Sequence, residues 1–195
     1  MSILEIAANY YQYFLRGTRT TILVALVTVF CGALLGCAIA LMRLSKIKVL
    51  NWFSRLYITV IRGTPMLVQL YIVYFQLDFI KYPSGSIFGV DLERAIPCII
   101  ALSMNSAAYI AEIIRAGIQA VDAGQREASL SLGMTERAIM TKVIFPQAIK
   151  NILPALGNEV IVMIKQTSLA SVFFFGELMT AYKQVQSTTF LALEP

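Results

Sequence analysis

The chain contains no histidine in 195 residues. That removes the usual general base, the relay of a Ser-His-Asp triad and the commonest nitrogen ligand for metals. Charge is also scarce, at 14% Asp, Glu, Lys and Arg, where soluble domains carry about a quarter. The three cysteines, Cys31, Cys37 and Cys98, all lie inside apolar stretches, where cysteine behaves as a small hydrophobe, so neither a disulfide nor a metal site is expected. No G-x-x-x-x-G-K-[ST] phosphate loop occurs, and the chain is not expected to hydrolyse ATP itself. Nothing in the sequence asks for a cofactor or for a catalytic residue.

What is there is apolar. Hydrophobic residues make up 58% of the chain and the mean hydropathy is +0.72, too much for one soluble core of this length and suited to a lipid bilayer. A net charge of +5 would suggest nucleic acid in a soluble protein. Here the same Lys and Arg residues sit between apolar runs, where basic charge sets membrane orientation, and no nucleic acid partner is expected.

Four spans are predicted from runs poor in charge, each measured against the roughly 20 residues needed to cross a bilayer. They are Thr20 to Met42, about Leu56 to Leu77 with Arg62 inside, about Ala95 to Arg115 with Glu112 near its end, and about Ala148 to Phe175 with Glu159 and Lys165 inside. Pro154 lies in the last, where proline is tolerated by membrane helices. The stretch Leu34-Leu35-Gly36-Cys37 loosely matches a lipoprotein cleavage site. No basic cluster precedes the run at the extreme N-terminus, however, and the run continues to Met42, so a retained helix is the better reading. The expected architecture is all-α, a polytopic helical bundle forming one domain over 1–195.

Loop charges set the orientation. Arg43 to Arg55 holds Arg43, Lys46, Lys48 and Arg55 and no acid, whereas Asp78 to Arg94 holds Asp78, Asp91 and Glu93 against Lys81 and Arg94. The third loop is again basic. The positive-inside rule puts the first and third loops in the cytoplasm and the N-terminus outside.

Polar residues inside spans need partners or a cavity. Arg62 lies about 9 Å into the second span and Glu112 near the matching end of the third, taking roughly 1.5 Å per residue, so a structural ion pair between them is expected; the alternative is that Arg62 snorkels to the headgroups and Glu112 binds loop cations. Glu159 lies about 16 Å into the fourth span on the same rise. Gln69 and Asn105 are each seven residues deeper than Arg62 and Glu112 and reach a similar level. Three stripes, Arg62-Met66-Gln69, Asn105-Tyr109-Glu112 and Glu159-Met163-Gln166, have the i, i+4, i+7 spacing of one helical face. A solute pathway built from Gln69, Asn105, Glu159, Met163 and Gln166 is expected, with Glu159 receiving a cationic group. The alternative is that these residues bond helix to helix.

Between Gly124 and Pro146 the chain reads GQREASLSLGMTERAIMTKVIFP. This is a polar, helix-forming segment within a loop of about 118–146. Helix formers run from Ala123 to Leu132, Gly133 sits where a left-handed turn would end that helix, and Thr135 can cap a second helix that Pro146 ends or kinks. Small Ala128 and Ser129 would allow another protein to approach the backbone closely.

The spacing of Glu127, Ala128, Gly133, Val143 and Pro146 resembles the signature loop of the transmembrane subunits of ABC importers. Ser129 stands where a third alanine is usual and Phe145 where leucine is usual. Arg62-Gly63-Thr64-Pro65-Met66-Leu67-Val68-Gln69-Leu70, the run from Ser106 to Ile118, and Leu153-Pro154-Ala155-Leu156-Gly157-Asn158-Glu159 resemble the polar amino acid uptake branch, the histidine, glutamine and arginine type permeases.

That resemblance implies a bacterial inner or plasma membrane subunit, multi-pass, forming half of a pathway for a polar amino acid. It also implies ATP-binding cassette ATPase subunits docked on the loop through Glu127, Ala128, Ser129 and Gly133, a short cytoplasmic coupling helix. A second permease subunit, identical or related, and an extracytoplasmic solute-binding protein would complete the system. A fifth span is expected after the fourth, starting near Pro195. ATP-driven closure of the partner ATPases would swing the spans between outward and inward arrangements. Two other classes compete. A self-sufficient channel or secondary carrier would explain the intramembrane charges but not the loop. A membrane hydrolase would need an unusual pair such as Ser168 with Lys165.

Overall fold

The computed structural model describes residues 3–76, 80, 82–87 and 90–190, with side chains from residue 8 onward. The expected end of the second span at Leu77, the loop charges Asp78 and Lys81, and Pro195 lie outside the described residues.

The elements are almost all helical. They are α1 (Ile3–Leu44), α2 (Lys48–Gly63), α3 (Met66–Gln76), a two-residue hairpin of β1 (Ser86–Ile87) and β2 (Val90–Asp91), α4 (Leu92–Gln119), α5 (Ala123–Ser131), α6 (Glu136–Ile139), α7 (Phe145–Gln166) and α8 (Leu178–Thr189). A π-helical turn, Met140–Ile144, joins α6 to α7, and a 3-10 stretch, Thr167–Phe173, extends α7. Among the described residues, Ala8–Leu44 and Leu92–Gln119 are each long and apolar enough to cross a membrane. The number rises to four if α2 with α3, and Glu136–Phe173 with α8, each count as one broken span.

Proline has three outcomes here. Pro65 has no N–H to donate and disfavours helix at Thr64, and the expected second span breaks there into α2 and α3. Pro146 does not end its helix, because the π-helical turn immediately before it lets the backbone ladder slip by one residue. Pro154 lies within α7, which runs on without a break.

The chain forms two compact units. The first comprises Met1–Phe30, Thr64–Ser103 and Val162–Pro195. Its core gathers Val24, Leu70, Leu102, Met163, Phe173 and Phe175, with Tyr74 stacked on Phe173 at 4.0 Å between centroids. The Ser103 hydroxyl donates to the Thr28 carbonyl at 3.4 Å. The N-terminus of α8 is fixed by the buried Glu177 carboxylate, which accepts from the backbone N–H groups of Met179 at 2.6 Å and Thr180 at 2.5 Å. Such a carboxylate fills the donors that a helix leaves unpaired at its start.

The second unit comprises Cys31–Gly63 and Met104–Ile161. Its helices meet at small residues, as membrane helices do where backbones approach. A Cβ added at Gly32 would lie 2.8 Å from the Ser106 Cβ, and one at Gly36 would lie 3.0 Å from the Ala107 carbonyl oxygen. Gly117 leaves the space that the Ile152 side chain fills. Ala40, Ile58 and Ala111 close the unit's apolar core, and the Tyr57 hydroxyl donates to the Met104 carbonyl at 2.6 Å.

Candidate functional site

In the second unit, α4 carries the run Asn105-Ser106-Ala107-Ala108, all buried. Opposite it α7 presents Glu159, 4% exposed. The Ser106 hydroxyl donates to Glu159 Oε1 at 3.0 Å. A carboxylate offers about four lone-pair sites, so one donor leaves capacity for a cation or further donors. Ser106 was not among the expected site residues. Its signal was that it stands next to Asn105 at the same depth.

The first unit holds the other three expected pathway residues, and they differ from one another. Gln69 is buried and its amide nitrogen donates to the Thr64 hydroxyl at 2.7 Å and to the Thr64 carbonyl at 3.1 Å. It thereby repairs the backbone where Pro65 breaks the helix. Since α2 and α3 are separate helices, Arg62-Met66-Gln69 is not one face. Met163 is 0% exposed and lies inside the apolar core of this unit. Gln166 keeps a buried amide oxygen that takes no hydrogen bond among the described residues.

The expected Arg62–Glu112 pair is also corrected. Glu112 takes Arg115, whose Nε donates to both carboxylate oxygens at 2.9 and 3.0 Å and whose Nη2 also reaches it. Arg62 instead lies over the Tyr109 ring, 5.0 Å from its centroid. Among the described residues no ion pair joins Arg62 to Glu112. The i, i+3 spacing places Arg115 on the same helical face as Glu112, and its planar fork matches a carboxylate.

The loop folds as two helices around a tight turn. The Asp122 carboxylate accepts from the Gly124 N–H at 2.7 Å to start α5. At its end Met134 N donates to the Ser129 carbonyl at 3.1 Å and Gly133 N to the Leu130 carbonyl at 2.9 Å. This paired pattern closes a helix on a left-handed residue, here Gly133 at φ 76°. Thr135 caps α6, accepting from Ala138 N at 3.4 Å. Arg126 bonds Glu136 at 2.7 Å across the turn, and that carboxylate holds the Arg126 guanidinium above its ordinary pKa. Glu127, Ala128 and Gly133 are exposed. Ser129 is not, because one step of about 100° from Ala128 turns it inward, and its hydroxyl bonds the Gln125 carbonyl at 2.6 Å. Ser129 therefore anchors α5 through its own backbone. Leu132, 82% exposed, was missed and is the apolar residue the turn displays.

The Ser168 hydroxyl donates to the Lys165 main-chain carbonyl at 2.6 Å, so it is engaged by backbone rather than by an amine that could activate it.

Residues 32–193 match the family model described as binding-protein-dependent transport system inner membrane component. The chain is 37% identical over 183 residues to the arginine transport system permease protein ArtQ of Bacillus subtilis (strain 168), covering 94% of this chain and 80% of that one. It is similar to a solved structure of an amino acid ABC transporter with histidines, at 46% identity and a TM-score of 0.89, covering 100% of this chain and 87% of that one. An inward-facing form of the MetNI methionine ABC transporter matches at 19% identity and a TM-score of 0.73, covering 99% of this chain and 87% of that one. At that identity the likeness shows the fold alone.

Proposed function

The chain belongs to the family of binding-protein-dependent transport system inner membrane components, and from that premise we propose that it forms half of the pathway by which an ATP-driven importer carries a polar amino acid. Its role is transport, and ATP hydrolysis falls to a partner ATPase. The names of similar proteins support the substrate class: ArtQ is an arginine permease and the similar solved structure is an amino acid transporter.

The observation that carries the coupling role is α5. It is a nine-residue helix of which only Ser129 is buried, in a chain whose other helices bury apolar faces. A helix so short is marginal alone, and capping at both ends holds it ready to be engaged. Glu127 supplies a polar anchor, Ala128 a close backbone approach, Leu132 an apolar contact and Gly133 the exit angle. The basic first loop and basic third loop support placing α5 in the cytoplasm, where ATP is, with the N-terminus outside. ATP-driven approach of two ATPases would then draw two such loops together and rock the helices. A second permease chain and an extracytoplasmic binding protein complete the assembly.

Glu159 is the proposed receiver of the solute's ammonium group, with Ser106 orienting it and Asn105 offering hydrogen bonds beside it. In the first unit the free Gln166 amide oxygen can accept from a passing solute. The test uses the complex reconstituted with its ATPase and binding protein. A Glu127→Arg chain should insert and fold yet lose binding-protein-stimulated ATP hydrolysis, and Glu159→Gln should hydrolyse ATP but transport with a raised KM. Wild-type coupling in the first variant, or unchanged affinity and rate in the second, would remove that residue from its role.

A further inference from the structure

The helix α2 is amphipathic in an unusual sense. Ser54 and Ile58 face inward, while Val49, Trp52, Phe53, Leu56 and Val60 are all exposed. Their spacing of i, i+3, i+4, i+7 and i+11 makes one apolar stripe along the outside of the second unit. At the start of that stripe lies a notch of about 450 Å³, lined by Ser45, Lys46, Lys48, Asn51, Trp52 and Arg55. Three of those six side chains are cations, and no acid occurs between Arg43 and Arg55. Asn51 holds the notch in shape: its oxygen accepts from Arg55 Nε at 2.7 Å and its amide nitrogen donates to the Arg43 carbonyl. Arg43 keeps a buried Nη1 that takes no hydrogen bond among the described residues. Glu112, the carboxylate whose field reaches Arg43, is already held by Arg115.

We propose that the notch and the stripe together bind one anionic glycerophospholipid, its phosphate among Lys46, Lys48 and Arg55 and an acyl chain along Val49, Phe53, Leu56 and Val60. Charge complementarity selects the headgroup, and basic pockets beside membrane helices take anionic lipids in this way. A free phosphate would satisfy the cations and leave the apolar stripe unused. Trp52 belongs to both halves, with its ring at the boundary between headgroup and chain, where tryptophan is enriched.

Trp52 is the single tryptophan of the chain, so its fluorescence reports this site alone. The full chain is placed in nanodiscs containing either dibrominated phosphatidylglycerol or dibrominated phosphatidylcholine, whose bromines quench on contact. Half-quenching is expected at a mole fraction of phosphatidylglycerol more than about fivefold lower than of phosphatidylcholine, since one basic side chain near an anionic surface is worth about fivefold and the notch holds three. Lys46→Ala/Lys48→Ala/Arg55→Ala should abolish the difference, and soluble glycerol phosphate should leave the quenching unchanged. Should that variant fail to insert, Arg55→Gln alone is measured, with partial loss of preference expected and an unchanged preference counting against the site. Equal quenching by both lipids, a preference that survives the triple substitution, relief by glycerol phosphate, or a Trp52 shielded from both lipids by a protein surface would each overturn the proposal.

Discussion

The Ser106 hydroxyl points at Glu159 across 3.0 Å, and both side chains are buried. One helix supplies a donor and the other a carboxylate, which inside a membrane needs a partner or a cavity. Gly32 packs against that donor: a Cβ added there would lie 2.8 Å from the Ser106 Cβ and 2.9 Å from its Oγ.

Ser106→Ala removes that donor and keeps the packing volume close to wild type. If Glu159 receives solute, transport KM should rise about tenfold, the worth of one hydrogen bond to a charged group, with solute-independent ATP hydrolysis unchanged. Ser106→Cys should recover part of the loss. Uptake kinetics in proteoliposomes read this directly, and a fall in thermal stability with normal KM would mark the pair as structural.

Two helical glycines should respond in opposite directions. Gly32→Val drives a side chain into Ser106, only 2.8 Å from the first added carbon, whereas a Cβ at Gly157 meets nothing within 4 Å. Gly32→Val should destabilise by about 1–3 kcal/mol through overpacking. Gly157→Ala should stabilise by up to about 1 kcal/mol through helix propensity. Thermal unfolding of the purified subunit in detergent compares them, and equal shifts would contradict the packing described.

At Gly133 the constraint is conformational. Its φ is 76° and the surrounding space is open, so a β-branched side chain is strained there by backbone geometry rather than by collision. Gly133→Val should reduce coupled ATP hydrolysis several-fold, while Gly133→Asn, which tolerates the left-handed region, should retain most of it. Activity of the valine variant at wild-type level would show that the exit angle of α5 is not needed.

The partner of Glu112 can be settled by exchange. Glu112→Arg combined with Arg115→Glu should restore the expression and melting temperature lost in either single variant, because the i, i+3 geometry is kept. Combining Glu112→Arg with Arg62→Glu should not. Tyr109→Phe should be near neutral and Tyr109→Leu should cost about 0.5–2 kcal/mol, the range of a cation over an aromatic ring.

The features legible from sequence were local ones. The turn after α5 follows from Gly133 and Thr135, since a left-handed residue and a hydroxyl cap act within one helical turn of themselves. The third span follows from one run poor in charge, which α4 covers as an unbroken helix. Loop chemistry likewise made the family recognisable, because the spacing of Glu127, Ala128, Gly133 and Pro146 can be read within one short stretch of sequence.

Tertiary structure decided what depended on a choice among equals. Pro65, Pro146 and Pro154 carry the same local disadvantage, yet the first breaks a helix, the second follows a π-helical turn and the third sits within an unbroken one. Arg62 was the expected partner for Glu112, but Arg62 packs over Tyr109 and Arg115, one helical turn along α4, takes the carboxylate. Helical phase put Met163 and Glu159 on one stripe, but packing separated their surroundings: an apolar core closed over Met163, while Ser106 met Glu159. Periodicity specifies which residues share a face. What that face meets is set by the helices packed against it, and only close packing with its small residues decides which polar groups retain unused bonding capacity.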